Sequence, residues 1–273
     1  MARLKRNERI ASIAHTLTNS PGKMFTLNSF CQLFDVAKSS VSEDLEVVRV
    51  SFEQGALGTL KTFAGPSGGV MYLPSVSKQQ AVEGLRSLCE QLGEPSRILP
   101  GNFLYIQDIL SDPQQLHFLS RIMAMPFYEA GVDFVLTVET KGIPFAMATA
   151  RVLGVPLIIA RRDYRTYEGT VVTINHALGG GQLQSMSLAR RAIAPTYKKA
   201  LIVDDFMHAG GTLRGMADLL YEFNIQLAGS AVIARRVIDV SPLVDNVHAL
   251  VEIGASGHLG GEVSIAPWVY EIE

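Results

Sequence analysis

Asp204 and Asp205 stand where the apolar run Ala200–Val203 stops, and the small-residue stretch Ala209-Gly210-Gly211-Thr212 follows them before a helical pattern begins. Two carboxylates at the end of a buried strand can accept hydrogen bonds from vicinal ribose hydroxyls. Backbone N–H groups of Ala209 to Thr212, placed at a helix N-terminus, can cradle a phosphate. Gly210 and Gly211 let the backbone approach that anion with no Cβ in the way. No lysine follows the second glycine, so the segment is not a Walker-type loop. These residue types suit recognition of a phosphorylated sugar.

A second loop repeats the logic. Glu139-Thr140-Lys141-Gly142 follows the apolar run Phe134–Val138 and precedes another helical pattern. Lys141 and the N–H groups of Thr140 and Gly142 can hold a pyrophosphate. Arg161, Arg162 and Arg165 follow a third apolar run and either face that pyrophosphate or a purine, or form a solvated cationic face. His208, inside the first loop, adds charge to a phosphate when protonated and is otherwise an ordinary loop histidine. The glycines at 179, 180 and 181, within the stretch 176–191, permit a mobile flap over the site. The acidic pair with its small-residue loop resembles the phosphoribosyl pyrophosphate (PRPP) motif of type I phosphoribosyltransferases.

Such loops need a scaffold. From residue 75 to 273, apolar strand candidates at 134–138, 156–160, 170–174, 200–203, 230–234 and 249–253 are interspersed with helical patterns at 114–130, 144–153 and 213–223. Continuous apolar strands bracketing helices predict an α/β domain, a mostly parallel sheet covered by helices. Ligands in such sheets bind beyond the carboxyl ends of the strands.

Residues 1–74 read differently. Ile10, Ile13, Ala14 and Leu17 predict one helix, Leu27, Phe30, Cys31 and Phe34 a second, and Val41, Leu45, Val48 and Phe52 a third. Ser40 with Glu43 fits a capping box opening the third. Two apolar segments, 59–63 and 70–73, flank a turn-rich tip and predict a hairpin. Three helices followed by a β-ribbon predict a winged-helix DNA-binding domain. Lys38, Ser39, Ser40 and Ser42 open the third helix and can reach base edges or phosphates, with Lys61 on the wing and Arg3 and Lys5 in the basic arm. Glu43, Asp44 and Glu46 suit that role only if they face away from DNA. A small helical domain for protein contacts is the other reading.

Bulk properties set limits. The chain has 273 residues, 48% hydrophobic and 18% charged, with net charge −2. A large core can form, extended disorder is excluded, and no global attraction to nucleic acid is expected. Charge is uneven. Residues 1–74 carry eight Lys/Arg and six Asp/Glu, against 16 and 20 in the remainder. Two distant cysteines, Cys31 and Cys89, read as reduced, buried thiols. With no signal-peptide pattern and no apolar run near ~18 residues, a cytoplasmic protein away from membranes is expected.

A winged helix joined to a PRPP motif resembles the purine operon repressor family over most of the chain. The matching stretches are Ala37–Leu45, Phe52–Gln54, Arg97–Gly101, Thr140–Pro144, Gln184–Ala189 and Asp204–Met207 with Ala209–Thr212. The resemblance implies a dimeric repressor that binds double-stranded DNA upstream of purine genes and is induced by PRPP. Guanosine tetraphosphate-type nucleotides are implied as occupants of the same pocket. Transferase turnover is implied to be lost, with no catalytic residue and no metal site beyond Mg²⁺ carried on the ligand. Asp204 and Asp205 would then bind the ribose hydroxyls, Ala209 to Thr212 the 5′-phosphate, and Thr140 to Gly142 the pyrophosphate, with Phe206 against a nucleotide base. Two positions depart from the pattern: His208 stands where lysine is expected, and Glu139 where a small residue is usual. An active purine phosphoribosyltransferase with an accessory N-terminal domain is the alternative the motifs leave open.

Overall fold

A computed structural model describes residues 4–65, 68–99, 103–163, 169–177, 183–237, 244, 246–254 and 262–272. The chain divides into two compact units, one of residues 1–76 with 151–154, the other of 77–150 and 155–273. Among the described residues no helix is long and apolar enough to cross a membrane.

The first unit runs α1 (Arg6–Asn19), β1 (Met24–Thr26), α2 (Leu27–Phe34), α3 (Lys38–Gln54), β2 (Gly58–Phe63) and β3 (Gly69–Pro74). The apolar stripes supply its core: Ile13 and Leu17 from α1, Phe30 and Phe34 from α2, and Val41, Leu45, Val48 and Phe52 from α3 close over Leu60, Val70 and Tyr72 of the sheet. The hairpin is present, and β1 adds a third, antiparallel strand against β3. Three residues is too short a stretch for alternation to mark a strand, so the sequence pattern does not show it. The capping box at Ser40 does not form. Helix α3 begins at Lys38 behind Ala37, which puts Ser40 inside the first turn. A side-chain cap does form at α2, where Thr26 Oγ1 accepts from the Ser29 amide at 3.1 Å.

The second unit holds α4 (Lys78–Leu92), the short pair β4 (Ile98–Leu99) and β5 (Phe103–Leu104), α5 (Gln107–Ser111), α6 (Pro113–Ala124), β6 (Phe134–Val138), α7 (Ile143–Leu153), β7 (Leu157–Ala160), β8 (Val171–Ala177), β9 (Leu183–Ala189), β10 (Lys199–Met207), α8 (Gly211–Glu222), β11 (Gln226–Arg236), β12 (Val247–Ile253) and β13 (Val263–Ile265). Its central sheet has the order β13-β12-β11-β10-β6-β7. All neighbours in it are parallel except the edge pair β12–β13. The core gathers Phe134, Leu136, Ile202 and Val232 from the strands with Leu213, Met216, Leu219 and Leu220 from α8.

Three expectations need correction. Segment 170–174 is not a strand of the central sheet but half of a separate antiparallel hairpin, β8–β9. The helix expected at 114–130 ends at Ala124, where Pro126 follows and a short 3-10 turn takes over. Cys31 and Cys89 are free but half-buried rather than buried, and burial, with help from Glu90, pushes the Cys89 thiol up to about 11.

One charged contact holds α1 to α3. Asp44 is fully buried, and the guanidinium of Arg9, itself buried, donates to it. Arg6 lies 3.4 Å from the other oxygen and is exposed. A buried carboxylate is tolerable only with such partners. Asp44→Ala should therefore destabilise the unit by about 3 kcal/mol, because it strands the Arg9 charge. Arg6→Ala should cost under about 1 kcal/mol. Urea denaturation followed by circular dichroism checks both; equal effects would contradict this assignment.

Candidate functional site

Strand order fixes where a ligand can lie. From β6 the chain crosses to β7 on one side, and from β10 it crosses to β11 on the other. The carboxyl ends of β6 and β10 are thus neighbours at a topological switch point, with a crevice between them. Pairing between them ends at Ile202 with Leu136, two residues before Asp204 and Val138.

Strand β10 is longer than its apolar run. It continues to Met207 because β11 runs alongside it, pairing Asp204 with Val232 and Phe206 with Ala234. The two aspartates therefore sit in an ordered strand end rather than in a loop. Asp204 is buried and Asp205 half-buried. The Asp205 amide donates to Asp204 Oδ1 at 2.9 Å. Burial, reinforced by the charge of Asp205, pushes the Asp204 carboxyl well above the usual carboxylate range, against the pull of Arg162.

A cavity of about 520 Å³ opens at this point, lined by Val138, Glu139, Thr140, Lys141, Arg162, Asp163, Asp204, Asp205, Phe206 and Thr212. A second concavity of about 130 Å³ runs along Phe206–Leu213 and shares Phe206 and Thr212 with the first. Gly142 lies beneath the first. A Cβ there would stand 2.3 Å from Asp204 Oδ1 and 2.9 Å from Thr137 Oγ1. The Glu139–Thr140 peptide is cis.

The second concavity has the backbone geometry of an anion cradle. Gly210 caps α8 with φ 86°, a conformation that favours glycine. The first helical bond runs from the Arg214 amide to the Gly210 carbonyl at 2.8 Å. The amides of Gly211, Thr212 and Leu213 precede it and have no helical carbonyl ahead of them. They point, with the positive end of the helix dipole, toward any anion placed there.

The structure thus brings Thr140, Lys141, Asp204, Asp205, Phe206 and Thr212 around one cavity, sets Gly142 under it, and places Ala209, Gly210 and Gly211 along the adjoining concavity. His208 is exposed on that second rim. Glu139 lines the cavity, but its carboxylate turns to the next loop. Oε1 accepts from the Arg162 amide at 2.9 Å, and Oε2 lies 3.5 Å from the Arg161 guanidinium. Arg165 and residues 178–182 of the expected flap lie outside the described residues.

One inward-facing residue escaped sequence reading. His176 is buried on β8, packed on Gly215 of α8, with neither ring nitrogen hydrogen-bonded among the described residues. Burial and then the Arg162 charge lower its pKa, opposed by Asp218. Its signal was the alternation Val172, Ile174, His176 on one face of a strand.

In the first unit, Lys38, Ser39 and Ser42 are exposed on the opening turns of α3, and Ser40 is half-buried. Lys5 is exposed just before α1, and Lys61 lies half-buried on β2, 5.4 Å from the Phe63 ring centroid. Arg3 lies outside the described residues. The acids of α3 are mostly matched: Asp44 faces inward, and Glu46 and Glu53 both pair with Arg49.

Residues 5–74 match the bacterial purine repressor N-terminal family, and residues 114–255 the phosphoribosyl transferase domain. The purine biosynthesis transcriptional repressor of Bacillus subtilis is 40% identical over 252 residues, covering 92% of this chain and 88% of its own. The purine biosynthesis transcriptional activator of Lactococcus lactis subsp. lactis is 38% identical, covering 92% of each chain. A crystal structure of adenine phosphoribosyltransferase from Thermoanaerobacter pseudethanolicus shares the fold at TM-score 0.50 and 17% identity, over 60% of this chain and 99% of that one.

The Asp204 environment makes a pH prediction. A carboxyl whose folded pKa is raised stabilises the fold below its unfolded pKa, near 3.8, and that contribution is lost as pH rises through the folded value. Asp204→Asn, which cannot ionise, should therefore be more stable than the wild-type protein at pH 8, with the gap closing toward pH 4. Thermal denaturation of both proteins across that range checks the sign.

Proposed function

The chain belongs to the bacterial purine repressor family, and from that premise we propose that it regulates transcription of purine biosynthesis genes through DNA binding relieved by PRPP. The supporting observation is the meeting of two anion-binding loops and two carboxylates around one cavity at the sheet's switch point. In this reading Asp204 and Asp205 take the ribose hydroxyls. The amides of Ala209 to Thr212 take the 5′-phosphate. Lys141, with the backbone of Thr140 and Gly142, takes the pyrophosphate, whose Mg²⁺ arrives with it. Phe206, half-buried where the two concavities join, offers a ring face to the base of a guanosine tetraphosphate-type nucleotide in the same pocket.

The winged helix supplies the DNA contact, with Lys38, Ser39 and Ser42 foremost on α3 and Lys61 on the ribbon. The protein acts as a homodimer on two half-sites, and its pocket binds without turnover. Linkage does the rest: a ligand that prefers the DNA-free form lowers DNA affinity by the ratio of its two affinities, typically ~1–3 kcal/mol. Similar relatives are named a repressor and an activator, so the sign is the part most open to test. Retention of both phosphate loops and both carboxylates supports a second reading, an active purine phosphoribosyltransferase. Pyrophosphate release from PRPP with a purine base, surviving deletion of residues 1–74, would establish it.

Two variants test the assignment. Asp204→Ala combined with Asp205→Ala should bind operator DNA normally yet lose the PRPP response; normal induction in that variant would sink the pocket. Lys38→Ala should weaken DNA binding and lower its salt slope by about 1 while PRPP affinity holds. Unchanged DNA affinity would remove α3 from the interface.

A further inference from the structure

Glu139 is the residue that the binding chemistry least requires. A carboxylate beside a pyrophosphate loop should repel the ligand, yet it lines the cavity. Its contacts explain its presence. The Arg162 amide donates to Oε1 at 2.9 Å, and Arg162 Nε donates to the Glu139 carbonyl at 3.1 Å. The Arg161 guanidinium lies 3.5 Å from Oε2. The root of that arginine pair is fixed as well, since Arg161 and Ser187 exchange two backbone hydrogen bonds of 2.9 and 2.8 Å. Glu139 thus ties the loop after β6 to the loop after β7.

The tie has a directional result. With Nε committed to the Glu139 carbonyl, the two terminal nitrogens of Arg162 have no partner among the described residues, and Arg162 lines the cavity. Its charge acts on Asp204 of β10, which lines the same cavity, and on His176 of β8. A planar fork with two free N–H groups matches phosphate oxygens in bidentate fashion, provided that its orientation is held.

We propose that Glu139 is a positioning residue: by latching the two loops it aims Arg162 into the cavity as a clamp on the pyrophosphate end of the ligand. The proposal rests on reading the pocket as a PRPP site, and it concerns the selectivity of that site. Glu139 makes the pocket favour ligands with a pyrophosphate at C1 over sugar monophosphates, which need only the α8 cradle and the carboxylates.

Calorimetric titration of the full-length protein with PRPP and Mg²⁺, and separately with ribose 5-phosphate, tests it. Glu139→Ala should weaken PRPP binding roughly tenfold, the scale of one charge-assisted hydrogen bond, and leave ribose 5-phosphate within about twofold. Glu139→Gln, whose amide oxygen still accepts from the Arg162 amide, should bind PRPP as the wild type does or better. Glu139→Asp keeps the charge but shortens the reach, so it should lose PRPP affinity as Ala does; it carries the test if the alanine variant does not fold. In an Arg162→Ala background, Glu139→Ala should have no further effect. PRPP binding unchanged or tightened in both Glu139→Ala and Glu139→Asp would overturn the proposal, leaving Glu139 as a mere repelling anion. A full penalty persisting without Arg162 would overturn it too. A wild-type protein that binds PRPP no better than ribose 5-phosphate would instead refute the pocket reading, and the clamp with it.

Discussion

Gly142 and Asp204 are in contact, and the second unit is organised around that approach. No side chain fits between them: even a methyl group on residue 142 would overlap a carboxylate oxygen. Only adjacent parallel strands whose chains leave in opposite directions bring two such loops together. The tight fit buries Asp204, and burial in turn disfavours its charge. Thr137 Oγ1, fully buried beside it, has no partner among the described residues. An unmatched buried hydroxyl of this kind costs free energy, so the close packing of the two loops is not free.

The first unit works under a similar restriction at smaller scale. Helix α3 has to pack and to present at once. Val41, Leu45, Val48 and Phe52 give it a packing face, and Asp44 adds a single buried charge that Arg9 must answer. With Asp44 turned inward, and Glu46 and Glu53 engaged by Arg49, the polar opening turns keep Lys38, Ser39 and Ser42 on the outside. A helix with four acids can serve a DNA-facing role when most of them are matched within the unit.

Much of this was legible in the residues, for identifiable reasons. Helical stripes such as Val41, Leu45, Val48 and Phe52 announce themselves because one face must be apolar, and all four are buried. The meeting of the loops after β6 and β10 was readable because both follow apolar runs and carry glycine where backbone comes close, as Gly142 does to Asp204. What failed depended on partners distant in sequence. The apolar run that marks the strand stops at Val203, yet β10 continues through the acidic pair to Met207 because β11 runs on beside it. Segment 170–174 read as a sheet strand because apolar composition does not say which strand pairs with it, and β9 does. Ser40 and Glu43 have capping-box spacing, but the helix begins two residues earlier. The turn of Glu139 toward the β7 loop, 23 residues away, could not be read from its own neighbourhood.

The most direct measurement is a titration of purine-gene upstream DNA with the full-length protein at fixed salt, with and without PRPP and Mg²⁺. Tight, salt-sensitive binding is expected, weakened by PRPP about 5- to 150-fold, the span of ~1–3 kcal/mol of coupling. DNA affinity unchanged by PRPP, or increased by it, would contradict the central claim.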